Sequence, residues 1–300
     1  MRPAPFTARW QAGPVVAGAF EARFRLDDQA PFAGHYPGAP ILPGSFLIEA
    51  LLQAVSTALG NDHRLEEIVA CRFHSPLLPG DEVVAHFALK EAGSGATLVE
   101  VTANGRGPAA QLSMLVGPLV APAPHSSQEA IDTAPPLEQA PADGRALDPA
   151  FIHRALPHRH PALLVDSANV LEHPGGASTL LARKAVTLGE RCYAGADGLS
   201  TWSYPPSLII ESFCQACGLL RGSATPAGER RDDTKVPVVA KLAGLRFIGD
   251  VVPGDLLEHH VRMVASTPDG AVFSGQTVVA RRTVMQVGRV VAAVAALLRR

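Results

Sequence analysis

The sequence predicts an α+β protein made of two similar halves, in each of which an antiparallel sheet packs against one buried helix. Three observations carry this prediction: a Pro/Ala-rich stretch near the middle, a motif that occurs once on each side of it, and alternating apolar stretches after each motif. The 300 residues are enough for two domains, and 47% hydrophobic with 18% charged residues is typical of a chain that buries a sizeable core.

A predicted linker divides the chain. Residues 119–147 are rich in Ala, Pro, Ser and Gln and show no apolar period, which is typical of a semi-extended linker. The predicted boundaries are therefore a first domain over residues 1–118, a linker over 119–147 and a second domain over 148–300.

The repeated motif reads "LPGSFLIEALLQA" over residues 42–54 and "YPPSLIIESFCQA" over 204–216. The identical positions, each 162 residues apart, are Pro43 and Pro205, Ser45 and Ser207, Glu49 and Glu211, and Gln53 and Gln215. A second pair of motifs, "RFHSPLLPGD" (72–81) and "RFIGDVVPGD" (246–255), is 174 residues apart. The added spacing falls where the second half carries the polar loop 223–235, so the pattern indicates a duplication with one loop insertion.

Each motif begins a helix that is apolar on nearly every side. The predicted helices cover residues 44–59 and 206–221, with Pro near the first turn of each. A helix without a polar face is expected to be buried.

Alternating apolar stretches follow each helix, separated by Pro-Gly-Asp or Gly turns. They cover 67–74, 81–91, 96–105 and 109–119 in the first half, and 236–249, 255–266, 270–282 and 287–298 in the second. The alternation favours antiparallel strands with one buried face. Two such sheets could pair edge to edge, which would remove exposed strand edges.

Bulk properties argue against several function classes. A net charge of −2 gives no electrostatic reason to expect a nucleic-acid partner. The chain has no uninterrupted apolar run of about 18 residues, so no membrane span is expected. The first ten residues lack the apolar segment of a signal peptide, and the expected location is the cytoplasm.

Metal and cofactor signatures are weak in this sequence. Cys214 and Cys217 form a C-x-x-C pair without two further ligands nearby, which makes a poor zinc site and favours small core residues. His158 and His160 also lack neighbouring ligands, so we assign them to structure or pocket lining. No Gly-rich phosphate loop, nucleotide fingerprint or G-x-S-x-G motif occurs; we predict no metal and no cofactor.

His35 and the two helix acids are the candidate catalytic groups. His35 lies in the Pro/Gly-rich turn "GHYPG", fourteen residues before Glu49, and a histidine is suited to remove a proton near neutral pH. Glu211 is the acid of the second helix, where desolvation is expected to raise its pKa and make it a general acid. Gln215 follows one turn later on the same face and is expected to orient Glu211.

The stretch "GHYPGAPILPGSFLIEALLQA" (34–54) closely resembles the signature of the hot-dog-fold 3-hydroxyacyl-[acyl-carrier-protein] dehydratases. "LPHRHPALLVDSANVLE" (156–172) resembles the N-terminal segment of that family, and the two "RF…PGD" motifs resemble its post-helix strand and turn. The resemblance implies a tandem, or double, hot-dog: a single-chain version of a homodimer in which a sheet wraps one central helix in each half.

In those dimers each active site takes its histidine from one subunit and its acid from the other. Carried onto this chain, the resemblance implies that His35 pairs with Glu211 rather than with Glu49. It also implies that the backbone N–H of Gly44, at the positive end of the first helix, holds the thioester oxygen. The residue chemistry alone leaves open that Gly44 is simply a small residue at a helix start.

The second implied site departs from the family. The residue fourteen positions before Glu211 is Asp197, a far weaker base than histidine, and Pro206 replaces Gly44 and has no N–H. We therefore predict that this site is inactive, with Glu49 a structural group satisfied by Gln53. The alternative is that Asp197 has acquired a new role.

These inferences predict a dehydratase that converts a 3-hydroxyacyl thioester to the trans-2-enoyl thioester in fatty acid or polyketide synthesis. The resemblance implies a thioester carried by an acyl carrier protein or coenzyme A, and the pseudo-dimer could assemble further into a homo-oligomer. Candidate contacts for an acidic carrier protein are Arg230, Arg231 and Lys235. Two alternatives stay open: a hot-dog thioesterase, and a non-catalytic subunit that binds acyl thioesters.

Overall fold

A computed structural model describes residues 2–93, 95–119, 144–172, 178–194, 201–224 and 235–296. Its strands join into one thirteen-stranded sheet with the order β1-β2-β4-β5-β6-β3-β10-β13-β12-β11-β9-β8-β7. The strands are β1 Gln11–Ala12, β2 Ala19–Arg25, β3 His63–Phe73, β4 Glu82–Glu91, β5 Thr97–Asn104, β6 Pro108–Pro118, β7 Arg145–Leu147, β8 Ser167–Leu171, β9 Thr179–Ala185, β10 Lys235–Phe247, β11 Leu256–Thr267, β12 Gly270–Val279 and β13 Arg282–Ala296. Every pairing is antiparallel.

Among the described strands, the sheets of the two halves join at one strand pair. β3 of the first half pairs with β10 of the second, with Cys71 opposite Leu242 and Ile68 opposite Leu245. The predicted edge-to-edge pairing of the two sheets is confirmed, and each half covers the strand edge that the other would expose.

Among the described residues, three α-helices lie against the sheet: α1 Gly44–Leu59, α2 Pro149–Ala155 and α3 Pro206–Ser223. The predicted range of α1 is confirmed, and α3 continues two residues beyond its predicted end. α1 ends at Gly60, whose φ of +73° is the left-handed conformation that glycine adopts readily. Both long helices are buried because each packs on its own sheet and on the other helix.

The core follows from strand alternation. In β4, for example, Val83, Ala85 and Phe87 point inward while their neighbours are more exposed. The cysteines are all unpaired thiols, and Cys217 is a buried core residue as predicted.

The sequence interpretation missed several short elements. β2, β8 and β9 were not predicted, although β2 carries a period-two pattern in which Phe20, Ala22 and Phe24 are buried. Residues 145–147, placed at the end of the linker, form β7 and pair with β8. The rest of the predicted linker, residues 120–143, lies outside the described residues, and the domain boundaries stay a prediction.

No helix of the described residues is long and apolar enough to cross a membrane.

Candidate active site

His35 lies on a tight turn whose backbone fixes its orientation. Gly34 and Tyr36 on either side of it have φ angles of +77° and +56°, and the His35 N–H donates to the Phe32 carbonyl at 3.0 Å. The His35 Nδ1 lies 2.8 Å from the carbonyl oxygen of Ile41. Since a carbonyl can only accept, Nδ1 carries the proton and Nε2 is left as the basic nitrogen.

This turn is held by the second half of the chain. The Arg159 N–H donates to the Gly34 carbonyl at 2.8 Å, and the Tyr36 hydroxyl donates to the Pro237 carbonyl at 2.7 Å. A Cβ atom on Gly34 would lie 2.1 Å from the Arg159 carbonyl oxygen, so this approach requires glycine. The histidine is therefore positioned by both halves together.

Glu211 lies on α3, buried, and accepts three hydrogen bonds. Ser45, on α1 of the other half, donates its hydroxyl to Oε2 at 2.8 Å. Gln215, one helical turn after the acid, donates to Oε1 at 3.1 Å, which is the orienting contact expected from the sequence. His158 Nε2 lies 3.2 Å from Oε1.

His158 is the residue that the sequence interpretation missed. Its assignment to structure or pocket lining is incomplete, because it lies between the two predicted groups: it contacts Glu211 directly, and its ring centroid is 5.1 Å from that of His35. Its Nδ1 is buried and has no hydrogen-bond partner among the described residues. The available signal was the "LPHRHP" segment, because its resemblance to the N-terminal segment of the family includes this histidine.

His35 and Glu211, which come from different halves, are brought together. One nitrogen of His35, one nitrogen of His158 and one oxygen of Glu211 all lie within 4.8 Å of one another, and all three residues are buried. Histidine and carboxylate groups this close could also ligate a transition metal such as zinc.

The pKa values of His35 and Glu211 are both lowered in this cluster. Burial lowers the pKa of His35 from 6.5 to about 4, an effect that the Glu211 charge opposes and the neighbouring His158 increases. Burial alone raises the pKa of Glu211, but the hydrogen bond and charge of His158, the charge of His35 and the Ser45 hydroxyl outweigh it and lower the pKa to about 2. The expectation of a raised pKa for Glu211 is therefore wrong.

Gly44 is the first residue of α1, so its N–H is one of the helix donors that have no intrahelical acceptor. A Cβ atom at this position would lie 2.7 Å from Cζ of Phe73. The structure thus supplies a packing reason for glycine here, and it leaves the N–H at the positive end of the helix dipole.

The equivalent place around Glu49 is built differently. Glu49 is 1% exposed and accepts hydrogen bonds from Gln53 at 3.2 Å and from Ser207 at 2.9 Å. It also forms a buried ion pair with Arg2, which was not anticipated. Pro206 is the first residue of α3, where it offers no N–H, and Asp197 lies outside the described residues.

Both halves of the chain are similar to known proteins. A family model described as ApeI dehydratase matches residues 17–106, and one described as a FabA-like domain matches residues 156–288. The 3-hydroxyacyl-[acyl-carrier-protein] dehydratase FabZ of Anaeromyxobacter sp. (strain Fw109-5) is 37% identical over 144 residues, which are 46% of this chain and 87% of the relative. The chain belongs to the 3-hydroxyacyl-[acyl-carrier-protein] dehydratase family.

Other members and solved structures extend the comparison. The family's FabZ protein from Acidovorax sp. (strain JS42) is 41% identical over 106 residues, 35% of this chain and 69% of the relative. The dehydratase domain from the CurJ module of the curacin polyketide synthase aligns with a TM-score of 0.66 at 14% identity and covers 99% of both chains. The dehydratase domain of PpsC from Mycobacterium tuberculosis aligns with a TM-score of 0.64 at 17% identity, over 97% of this chain and 99% of that one. The predicted double hot-dog fold is confirmed.

Proposed function

We propose that this dehydratase-family chain removes water from a 3-hydroxyacyl thioester at a single site made of His35, His158 and Glu211. The observation that carries the proposal is the buried cluster itself: an imidazole with a free Nε2 faces a carboxylate that a second histidine contacts. A base and an acid side by side are what β-elimination of water requires.

In the proposed reaction, His35 Nε2 takes the proton from the carbon next to the thioester carbonyl. The electron pair of that C–H bond forms the new carbon–carbon double bond, and the bond from the 3-carbon to the hydroxyl oxygen breaks. The hydroxyl leaves as water after it receives a proton from the Glu211 side. The Gly44 N–H donates to the thioester oxygen while negative charge develops on it.

The lowered pKa of Glu211 decides where its proton is held. A carboxyl group with a pKa of about 2 is ionised at neutral pH, so Glu211 alone would not be a proton donor. The proposed proton donor is therefore the His158–Glu211 pair. Because His158 Nε2 contacts the carboxylate, one proton can pass between the two side chains. After water leaves, the proton on His35 returns to this pair, whose histidine ring is 5.1 Å away.

We also propose that the Glu49 site performs no dehydration. Arginine does not release a proton in proteins, so the Arg2–Glu49 pair lacks the transferable proton that the His158–Glu211 pair holds. Proline at position 206 removes the donor equivalent to the Gly44 N–H.

The thioester carrier is proposed as an acyl carrier protein or coenzyme A, in fatty acid or polyketide synthesis. Relatives that are named acyl-carrier-protein dehydratases support the first carrier, and the PpsC domain, solved with C12:1-CoA, supports the second. Arg230 and Arg231, candidate carrier contacts, lie outside the described residues, as does the side chain of Lys235. The proposed location is a reducing cytoplasm, in keeping with four unpaired thiols.

The test is mass spectrometry of a 3-hydroxyacyl carrier protein and of the matching coenzyme A thioester after incubation with the full chain. We expect loss of one water from the acyl group. Release of free thiol would instead indicate a thioesterase, and an unchanged but bound thioester would indicate a non-catalytic acyl-binding protein. Either result would contradict the proposed function.

A further inference from the structure

Gln53 and Gln215 make the same three contacts in the two halves. Each side-chain amide donates to the acid one turn earlier on its helix. It also donates to a backbone carbonyl oxygen in the segment before the domain's first long strand. In return, it accepts from the backbone N–H of the residue two positions after that carbonyl. The carbonyl oxygens are those of Phe6 and Ala162, at 2.9 and 2.7 Å, and the N–H groups are those of Ala8 and Leu164, both at 2.9 Å.

These contacts align two segments that the repeated motif does not include. Phe6 corresponds to Ala162 and Ala8 to Leu164, both 156 residues apart, and the same offset places Arg2 on His158. Arg2 is 8% exposed and His158 is 7% exposed, and each contacts Oε1 of the acid in its half. The Glu49 site therefore holds a permanent cation where the active site holds a titratable ring.

The two acids are also connected across the helices. Ser45 on α1 donates to Glu211 on α3, and Ser207 on α3 donates to Glu49 on α1, at 2.8 and 2.9 Å. All four side chains are buried, with exposed fractions of 8% or less. We call these four residues the helix clasp. Each helix carries one hydroxyl and one acid a turn apart, so the two hydrogen bonds fix the position of α1 along α3.

We propose that Arg2, Glu49 and Ser207 are positioning residues for the reaction at the other end of the clasp. Arg2 and Gln53 fix Glu49, Glu49 fixes Ser207 at the start of α3, and the resulting helix register places Ser45 on Glu211 and the Gly44 N–H beside the substrate. The half without catalytic chemistry thus sets the geometry of the half that has it. This inference rests on the proposed role of Glu211.

The central experiment is a double-mutant cycle in dehydration kinetics. Ser207→Ala removes one buried hydrogen bond and is expected to lower kcat about tenfold with little change in KM, since small misplacements of reacting groups are costly. Ser207→Thr, which keeps a hydroxyl, is expected to recover most of the rate. In a Ser45→Ala background, Ser207→Ala should have a clearly smaller effect than in the wild type, because one of the two contacts that it positions is already missing.

A second set of variants tests the positive charge of Arg2. Arg2→Met is expected to lower both Tm and kcat because it leaves Glu49 buried without its partner, and Arg2→Lys should recover part of each. Adding Glu49→Gln to Arg2→Met removes the buried charge and should restore Tm more fully than kcat. Matched controls are Arg9→Met, an exposed arginine of the same segment, and Ser223→Ala, whose hydroxyl bonds the Leu220 carbonyl of its own helix.

The outcomes separate the two proposals. A wild-type chain that does not dehydrate the thioester would overturn the proposed function. A wild-type chain that does, with the Ser207→Ala effect additive to that of Ser45→Ala or absent, would overturn the positioning role alone. If Arg2→Met does not fold, the Ser207 cycle decides the question, because it changes neither charge nor ion pair.

Discussion

Glu211 and Glu49 share a hydrogen-bond framework but differ in the side chain that contacts Oε1. Both acids lie one turn before a glutamine and accept a serine hydroxyl from the opposite helix. Glu211 additionally contacts His158, which can give up a proton, whereas Glu49 contacts Arg2, which does not. Under the proposed function, the duplicated site keeps its hydrogen-bond framework without proton chemistry, and a permanent charge stands in place of the titratable group.

The largest expected effect is on the base. His35→Ala should lower kcat by about 10³-fold, because it removes the imidazole that takes the proton in the proposed reaction. Steady-state dehydration kinetics check this, with His74→Ala as a control for an exposed histidine of the same half. A His35→Ala enzyme with the wild-type rate would remove His35 from the site.

A smaller effect is expected at the residue that most clearly separates the two sites. His158→Gln should lower kcat about 10- to 100-fold, because glutamine can donate to Glu211 but cannot hold a transferable proton. Since His158 lowers the pKa of His35, its removal should also move the acid limb of kcat/KM upward. An unchanged kcat would show that Glu211 needs no second group.

The pH dependence of the wild-type enzyme tests whether His35 is buried during the reaction. A histidine whose pKa is lowered to about 4 stays unprotonated, and so basic, between pH 4 and 6.5, where an exposed histidine becomes protonated. The acid limb of kcat/KM should therefore lie well below 6.5. A limb near 6.5 would mean that His35 is solvated in the working enzyme.

The smallest effect is expected in the half to which the proposed function assigns no proton chemistry. Asp197→Ala should leave kcat and KM within about twofold of wild type, in the range of a substitution outside the site. The same dehydration assay measures it. A large loss of activity would show that Asp197 has acquired a role and that the second site is not silent.

The repeated motif predicts more of the secondary structure than any other feature of the sequence. Because identical residues recur at a spacing of 162, the helix ranges and the strands that follow each helix could be predicted from the sequence, whereas the pairing of His35 with Glu211 came from the family resemblance. Ser45 and Ser207 stood in the same alignment, yet their bonds across the helices follow only from how α1 packs on α3.

Arg2 and His158 could not be found in this way. Their segments share little sequence, and their equivalence emerges from the contacts that Gln53 and Gln215 make. The direction of the Glu211 pKa was also beyond sequence reasoning, since it depends on the donors that the fold places around the carboxylate rather than on the apolar helix that contains it.

The most direct test of the central claim, one working site made from both halves, is the ratio of kcat between Glu211→Gln and Glu49→Gln. We expect that Glu211→Gln loses about 10³-fold in kcat while Glu49→Gln, with its role confined to positioning, stays within about tenfold of wild type. Equal losses in the two variants, or a greater loss in Glu49→Gln, would contradict it.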